Sequence, residues 1–180
     1  MSDTNIDNLN DKLATLMEIA ALLNSNHDLD MVVSHAVISA CRLTGAETGS
    51  LLLIDSDTQE LRFEVVLGKQ NEQLKQLRIP KGQGIAGLVA ENNTPMIVPD
   101  VQADSHFFGV ADDTTSFKTL SMIAVPLHAK GRVIGVLQSI NKKCGTFDHS
   151  DLKLIIALAN MVAPAIDESR FNFTPSCELA

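Results

Sequence analysis

Apolar residues near the start of the chain recur every three or four positions, which is the spacing of one face of an α-helix. A first helix is predicted over residues 5–24, with a heptad-like stripe formed by Ile6, Leu9, Leu13, Leu16, Ala20 and Leu23. A second amphipathic helix is predicted from Leu29 to just before Gly45. Two helices therefore precede any strand, and the stripe on the first predicts contact with a further helix.

The middle of the chain changes to short apolar or alternating runs, which are typical of β-strands. These runs lie at 50–55, 60–67, 77–80, 96–98, 122–127 and 132–140. The first two flank a polar tetrapeptide and the last two flank Ala129-Lys130-Gly131, so each pair predicts a hairpin. Gly82-Gln83-Gly84 predicts the start of a short helix between the third and fourth strands.

Residues 99–119 have weak periodicity and many polar groups, so they predict a long crossover loop with about one turn of helix. A loop of this length inside a compact domain is usually functional.

The final helix is predicted to begin at a capping Asp148 or Ser150 and to carry two apolar stripes. One stripe contains Ile155 and Val162, and the other contains Leu158 and Met161. One of them is expected to pack against the sheet and the other against a partner. Pro164 is expected to kink or end this helix because proline lacks a backbone donor. Residues 171–180 are expected to form a flexible tail.

Composition narrows the classes of function. The net charge of −8 argues against a nucleic-acid or anionic-membrane surface, because both require clustered Lys and Arg. Cys41, Cys144 and Cys177 show neither a disulfide framework nor zinc-ligand spacing. The start lacks a signal-peptide pattern and no apolar stretch approaches membrane-spanning length, so we expect a soluble cytoplasmic protein.

Four segments carry a family resemblance. Residues 78–90 (Arg-Ile-Pro-Lys-Gly-Gln-Gly-Ile-Ala-Gly-Leu-Val-Ala), followed by Val98-Pro99-Asp100, resemble the middle of GAF domains. Residues 124–127 (Ala-Val-Pro-Leu) and 131–137 (Gly-Arg-Val-Ile-Gly-Val-Leu) resemble that family's last strand pair.

The resemblance implies an α+β fold with a PAS/profilin-like, six-stranded antiparallel sheet in the order 3-2-1-6-5-4. It implies terminal helices on one face of the sheet and a ligand pocket on the other. We accordingly divide the chain into an N-terminal dimerisation helix over 1–27, a GAF domain over 28–170 and the tail over 171–180.

Within that family, the chain is similar to the cyclic-nucleotide-binding GAF domains of phosphodiesterases and bacterial adenylyl cyclases. These carry Asn-Lys, a spacer and then Phe-x-x-x-Asp-Glu; Asn141, Lys142, Phe147 and Asp151 match, whereas Leu152 replaces the final Glu. The resemblance implies a Lys142–Asp151 ion pair that supports the pocket. Exposed charges at a strand end and in a helix's first turn are the competing interpretation.

The same resemblance implies where a cyclic nucleotide would lie. Its phosphate would meet the backbone N–H groups of Ile85 and Ala86, at a helix N-terminus that favours anions. The remaining candidate ligand-binding residues have side chains near the base, the ribose or the lid: Ser50, Phe108, Asp112, Thr115, Thr119 and Gln138. Alternatively, Phe108 is plain core and Asp112 and Thr115 are turn and cap residues.

The family's base-stacking Phe-Asp pair corresponds to Val66 and Leu67, so recognition of guanine by that pair is lost. The sequence predicts a regulatory small-molecule-binding domain for cAMP or cGMP, with no enzymatic activity and no tightly bound cofactor or metal.

The alternative function is a dimerisation or protein-interaction module that binds no nucleotide or senses another metabolite. Methionine sulfoxide reduction is disfavoured because the chain lacks Trp and its cysteines are scattered. Isolated His106 and His128 are poor haem or metal ligands.

We also expect a parallel homodimer. It would form through the stripe of Leu9, Leu13, Leu16 and Leu23 on the first helix, and through Ile155 and Val162 on the last. Any effector protein would then be contacted in trans.

Overall fold

The computed structural model describes residues 3–24, 28–68, 71–115 and 117–172. Within these ranges the helices are α1 (Asp3–Leu23), α2 (Leu29–Thr44), α3 (Asn71–Leu74), α4 (Gly84–Asn92), α5 (Val110–Thr115) and α6 (His149–Asn172). The strands are β1 (Ala46–Ile54), β2 (Leu61–Val66), β3 (Arg78–Ile79), β4 (Met96–Val98), β5 (Met122–Ala129) and β6 (Arg132–Lys142). A single 3-10 turn covers Val101–Ala103.

The strands form one antiparallel sheet in the order β3-β2-β1-β6-β5-β4, which confirms the predicted topology. The tight β5–β6 turn places Lys130 at φ 49° and Gly131 at φ 77°. Two successive positive φ angles match the twist of paired strands and thus permit a two-residue hairpin. β1 and β6 lie at the centre of the sheet, and β6 forms the longest ladder with β5.

Helices α1, α2 and α6 cover one face of the sheet, as expected. Ala36, Val37 and Ala40 of α2 are fully buried and contribute to the large core on this face. Gly49 on β1 permits the close approach, because a Cβ there would lie 2.6 Å from Gln138 O and 2.9 Å from Cys41 Sγ. Burial raises the pKa of the Cys41 thiol to about 11, so this cysteine stays protonated and unreactive at neutral pH.

Helix α6 decides between the two predicted caps and bears on the expectation for Pro164. Asp148, and not Ser150, caps the helix, because its Oδ1 accepts from the N–H groups of Ser150 at 2.7 Å and Asp151 at 2.9 Å. The helix continues through exposed Pro164 to Asn172, so of the two predicted outcomes, a kink or an end, the end is wrong. Packing of its buried face outweighs one missing hydrogen bond. Residues 171 and 172 of the predicted tail are therefore helical, and the rest of that prediction, residues 173–180, lies outside the described part of the chain.

The α6 segment His149–Arg170 is also long and apolar enough to cross a membrane by length and composition, contrary to the expectation that no such stretch exists. In the fold, Ile155, Leu158, Val162 and Ile166 of this segment are fully buried against the domain itself. The apolar character of α6 is thus that of a core helix.

This burial also corrects the predicted dimer surface. Ile155 and Val162 are fully buried, so they are not available to a second subunit. On α1, Leu16 and Leu23 pack against the same core, because α1 folds back onto α2. Among the described side chains of α1, the large apolar residues that remain exposed are Leu9 at 58%, Leu13 at 50% and Met17 at 72%.

Helices α3, α4 and α5 lie on the opposite face, over a second, smaller core. Helix α3 has no counterpart in the sequence prediction, because its four residues Asn-Glu-Gln-Leu are too few to show periodicity. Leu74 of this helix is buried in that core. The crossover thus arches over this face and leaves a space above the sheet.

Candidate ligand-binding site

A cavity of about 460 Å³ lies between the sheet and the crossover, within the size range of small-molecule sites. All eight candidate ligand-binding residues line it: Ser50, Ile85, Ala86, Phe108, Asp112, Thr115, Thr119 and Gln138. Val66 and Leu67 form part of its apolar wall, together with Phe63, Leu74, Ile79, Phe107, Met122 and Ile140. Ligand binding by these residues stays a prediction.

The floor of the cavity is a polar pair on the two central strands. Strand register places Ser50 directly opposite Gln138. Ser50 Oγ donates to Gln138 Oε1 at 2.9 Å, and Gln138 Nε2 faces Met122 Sδ at 3.3 Å. A thioether is a weak acceptor, so the Gln138 amide keeps donor capacity for a ligand, while Ser50 keeps acceptor capacity.

The N-terminus of α4 forms one corner. Its first intrahelical bond runs from Gly87 N to Gln83 O at 3.1 Å, and Gln83 provides no side-chain cap. No described residue accepts a hydrogen bond from the N–H groups of Ile85 and Ala86, although both residues are buried. Unsatisfied N–H groups at a helix N-terminus carry partial positive charge and therefore favour an anion or other acceptor.

Phe108, the predicted lid residue of the crossover, packs directly against the N-terminus of α4. Gly84 adopts φ +67°, and a Cβ at this position would lie 3.0 Å from Phe108 Cβ. Only glycine meets both conditions without strain. The lid residue Phe108 is thereby seated against the start of α4, at the mouth of the cavity.

Helix α5 is tied to the start of β5 by one carboxylate. Asp112 Oδ1 accepts from Thr119 Oγ1 at 2.6 Å, and Oδ2 accepts from Thr119 N at 2.7 Å. Thr115 Oγ1 donates to Ala111 O at 2.8 Å and accepts from Phe117 N at 3.3 Å. Thr115 therefore makes the local turn contacts of the competing interpretation, whereas Asp112 ties two segments of the crossover together; both residues still line the cavity.

Asn141 is a residue whose importance the sequence did not reveal beyond its place in the Asn-Lys motif. Its Oδ1 accepts from Leu120 N at 2.7 Å, and its Nδ2 donates to Lys118 O at 3.0 Å and Glu47 Oε2 at 3.1 Å. Its φ of 56° is a conformation that asparagine tolerates. Asn141 thereby anchors the end of the crossover to the two central strands.

The predicted ion pair is present. Lys142 Nζ contacts Asp151 Oδ2, with side chains 17% and 5% exposed, and lies 5.6 Å from the centroid of the Phe147 ring. Asp151 also accepts from Asp148 N at 3.0 Å. The pair joins the end of β6 to the start of α6. Neither residue lines the cavity, so any support that it gives the pocket acts through these two elements.

The charge of the cavity lining restricts its chemistry. Glu47 and Asp112 are the charged side chains in the described lining, which contains no lysine or arginine. An anionic ligand would therefore be held by backbone N–H groups, and a single negative charge fits such a site better than two.

Three comparisons place the chain among known proteins. A family model for the GAF domain matches residues 28–166. Among curated proteins, the chain is 28% identical over 146 residues to the probable 3′,5′-cyclic phosphodiesterase pde-5 of Caenorhabditis elegans. That alignment covers 76% of this chain and 20% of the relative, so the chain spans about a fifth of the relative's length.

Solved structures show the same fold at lower identity. The GAF domain of a phosphoenolpyruvate-protein phosphotransferase from Coxiella burnetii is 21% identical, with a TM-score of 0.81 over 90% of this chain and 96% of that one. The free methionine-R-sulfoxide reductase of Neisseria meningitidis is 24% identical, with a TM-score of 0.74 over 89% and 91% of the two chains. One architecture thus serves proteins with different ligands, so function must be argued from the cavity.

Proposed function

The chain belongs to the GAF domain family, and from that premise we propose that it is a regulatory domain that binds a cyclic nucleotide between the sheet and the crossover. The ligand is cAMP or cGMP, and the domain binds it without converting it. Binding would make the conformation of the crossover more ordered, and this change would be recognised by an effector protein in the cytoplasm.

One observation carries this proposal: a single cavity combines unsatisfied backbone donors with a polar pair and an apolar wall. The N–H groups of Ile85 and Ala86 suit a phosphodiester, which has one negative charge. Ser50 and Gln138 offer an acceptor and a donor to the edge of a purine. The family's stacking residue is replaced in this chain, and Val66 and Leu67 supply an apolar wall against which the base can pack instead.

The polar groups are compatible with both bases. The hydroxyl protons of Ser50 and Thr119 are used on Gln138 and Asp112, so towards a ligand these hydroxyls act as acceptors. Adenine and guanine both carry exocyclic amino donors, and both offer ring acceptors to the Gln138 amide. The name of the Caenorhabditis relative supports the class of ligand; its catalytic activity belongs to a protein of which the alignment covers 20%, and that activity is not proposed for this chain.

Isothermal titration calorimetry tests the proposal. We expect cAMP or cGMP to bind with one site per chain. Adenosine, which lacks the phosphate, should bind more weakly, and 5′-AMP should also bind more weakly because of its second charge. Absence of heat with both cyclic nucleotides at millimolar concentration would refute the proposal.

A second candidate function is dimerisation, and the exposed stripe of Leu9, Leu13 and Met17 on α1 favours it. These residues recur every four positions and thus share one face of the helix. A parallel homodimer through this stripe would bury it, and the domain would act as an interaction module even if no nucleotide binds. The two functions are compatible, since the stripe and the cavity lie on opposite faces of the sheet.

A further inference from the structure

A second cavity, of about 540 Å³, lies at the other end of the two central strands. We call it the sheet-end cleft and define it by Ile54 and Gln59 near the β1–β2 turn, Lys81 before α4, Arg132 on β6, and Asp167 and Arg170 on α6. The ligand cavity lies by the start of β1 and the end of β6, whereas this cleft lies by the end of β1 and the start of β6. The two cavities are therefore separate.

Cationic side chains outnumber carboxylates by three to two in the lining of the sheet-end cleft, although the chain as a whole has a net charge of −8. Lys81, Arg132 and Arg170 line it, and the carboxylates that line it are Asp167 and Glu91. Asp167 is buried and already engaged: Arg132 Nη2 lies 3.1 Å from its Oδ1, and Lys130 Nζ lies 2.9 Å from its Oδ2. It therefore cannot neutralise the remaining cations.

Two of the cations have neutral partners instead of carboxylates. Lys81 Nζ donates to Gln59 Oε1 at 3.3 Å, and Arg170 Nη2 donates to Ile54 O at 2.8 Å. In the described part of the chain, no carboxylate lies within ion-pair distance of either cation. In an acidic protein, two such cations facing one cleft indicate a site for an external anion.

The surroundings of Arg170 agree with this assignment. Burial lowers the pKa of Arg170 below its ordinary value, and nearby Arg62 and Arg132 add to the effect. Glu64 and Asp167 oppose it through longer-range attraction. Guanidinium groups that are crowded together repel one another, and a bound anion would relieve this repulsion.

We propose that the sheet-end cleft binds a small oxyanion ligand through Lys81 and Arg170. The ligand carries a phosphate or a carboxylate group, since guanidinium binds either of them through paired hydrogen bonds. Gln59 lines the same cleft, and its Nε2 donates one N–H to Ser56 O at 2.9 Å, so the second N–H of this amide can serve as a neutral donor to the anion. The size of the cleft suits a metabolite of the size that occupies ordinary ligand sites.

The test is calorimetric titration of the full chain with pyrophosphate and with citrate, at constant ionic strength. We expect saturable binding of at least one of them, and the tighter one identifies the phosphate or carboxylate class. Lys81→Gln and Arg170→Gln should each raise the Kd about tenfold or more, because each removes a charge-assisted hydrogen bond.

Arg42→Gln is the matched control, because Arg42 is an exposed arginine on α2 that pairs with Glu18. It changes the net charge equally and should leave the Kd unchanged. If Arg170→Gln fails to fold for lack of its bond to Ile54 O, exposed Lys81→Gln decides the question alone. Absence of binding of both anions at millimolar concentration, or a wild-type Kd in Lys81→Gln, would overturn the proposal.

Amide NMR shifts locate the anion. Pyrophosphate should shift the amides of residues 54–59 and 132–134 and leave those of Ile85 and Ala86 in place. Shifts confined to Ile85 and Ala86 would assign the anion to the ligand cavity and refute the sheet-end site. A cyclic nucleotide that fails to bind leaves this experiment unaffected.

Discussion

Several polar side chains that line the ligand cavity form hydrogen bonds with one another. Ser50 pairs with Gln138, and Thr119 makes two bonds to Asp112. The sequence indicated these residue types as ligand contacts, but it could not show that their protons are already used. That depends on the β1–β6 register and on the path of the crossover, which bring together side chains 88 and 7 positions apart.

Thr119→Ala tests the tie between α5 and β5. It removes one charge-assisted bond from Asp112, so we expect the free energy of unfolding to fall by about 1.5–3 kcal/mol. Nucleotide affinity should also fall, by about 0.5–1.5 kcal/mol, if the hydroxyl accepts one neutral hydrogen bond from the ligand. Urea denaturation and calorimetry measure the two effects. Thr119→Ser keeps the hydroxyl and should preserve both quantities; equal loss in the serine variant would contradict the account.

Gly84→Ala tests the contact between Phe108 of the crossover and the start of α4. The substitution forces a side chain into positive φ and places Cβ against Phe108, so we expect it to weaken ligand binding as well as stability. Gly45→Ala is the control, because Gly45 has φ +66° and no heavy atom within 4 Å of the added Cβ. Both variants should lose about 1 kcal/mol of unfolding free energy from backbone strain. Only Gly84→Ala should lower affinity, and equal affinities in the two variants would show that Phe108 does not matter.

At the scale of elements, the sequence indicated the long periodic helices and all six strands. These elements bury regular faces, so their periodicity is strong and the prediction succeeds. It failed for α3, which is too short for a period, and at Pro164, where burial of residues on both sides outweighs the lost donor. Caps and charged pairs hold the ends of these elements together.

Asp151→Ala tests the joint between β6 and α6. Lys142 would keep its positive charge in a mostly buried position without a partner, so we expect a loss of about 3 kcal/mol in unfolding free energy. Chemical denaturation measures it. The double variant Lys142→Met with Asp151→Leu removes both charges and should recover much of the loss. A single variant as stable as the wild type would mean that the pair contributes nothing.

The cap of α6 gives a pH dependence. Bonds from the backbone N–H of Asp151, and then of Ser150, hold the pKa of Asp148 below its ordinary value. A lowered folded-state pKa stabilises the protein above the unfolded-state pKa, and this contribution is lost as the pH falls through the folded-state value.

Asp148→Ala should therefore have a lower Tm than the wild type at pH 7, and the difference should narrow below about pH 4. Thermal unfolding at several pH values measures it. Asp148→Asn keeps a neutral capping oxygen and should retain much of the stability at pH 7. A difference between wild type and Asp148→Ala that stays constant down to pH 2 would contradict the assignment.

At the scale of the whole molecule, each face of the sheet has a separate task. The face under α1, α2 and α6 is a closed core, and the other face holds the ligand cavity. The sequence could indicate an apolar stripe on α1, but not which of its residues the chain's own core would use. Which residues are buried depends on how α1 folds back onto α2, and this tertiary contact cannot be deduced from the periodicity of α1 alone.

Leu13→Asp tests the dimer. It places a charge in the exposed stripe of α1, so we expect a dimeric wild type and a monomeric variant in multi-angle light scattering. Ala14→Asp adds the same charge at an exposed α1 position beside the stripe and should remain dimeric. A wild type that is monomeric at micromolar concentration would exclude the dimer.

The most direct test of the central claim is an amide NMR titration of the wild-type chain with cAMP and with cGMP. The account predicts that one or both shift the amides of Ile85 and Ala86, the unsatisfied donors of the cavity, along with those of the crossover around Thr119. The shifts should saturate at one ligand per chain. If neither nucleotide moves the Ile85 and Ala86 amides at millimolar concentration, the domain does not hold a cyclic phosphate there and the account is wrong.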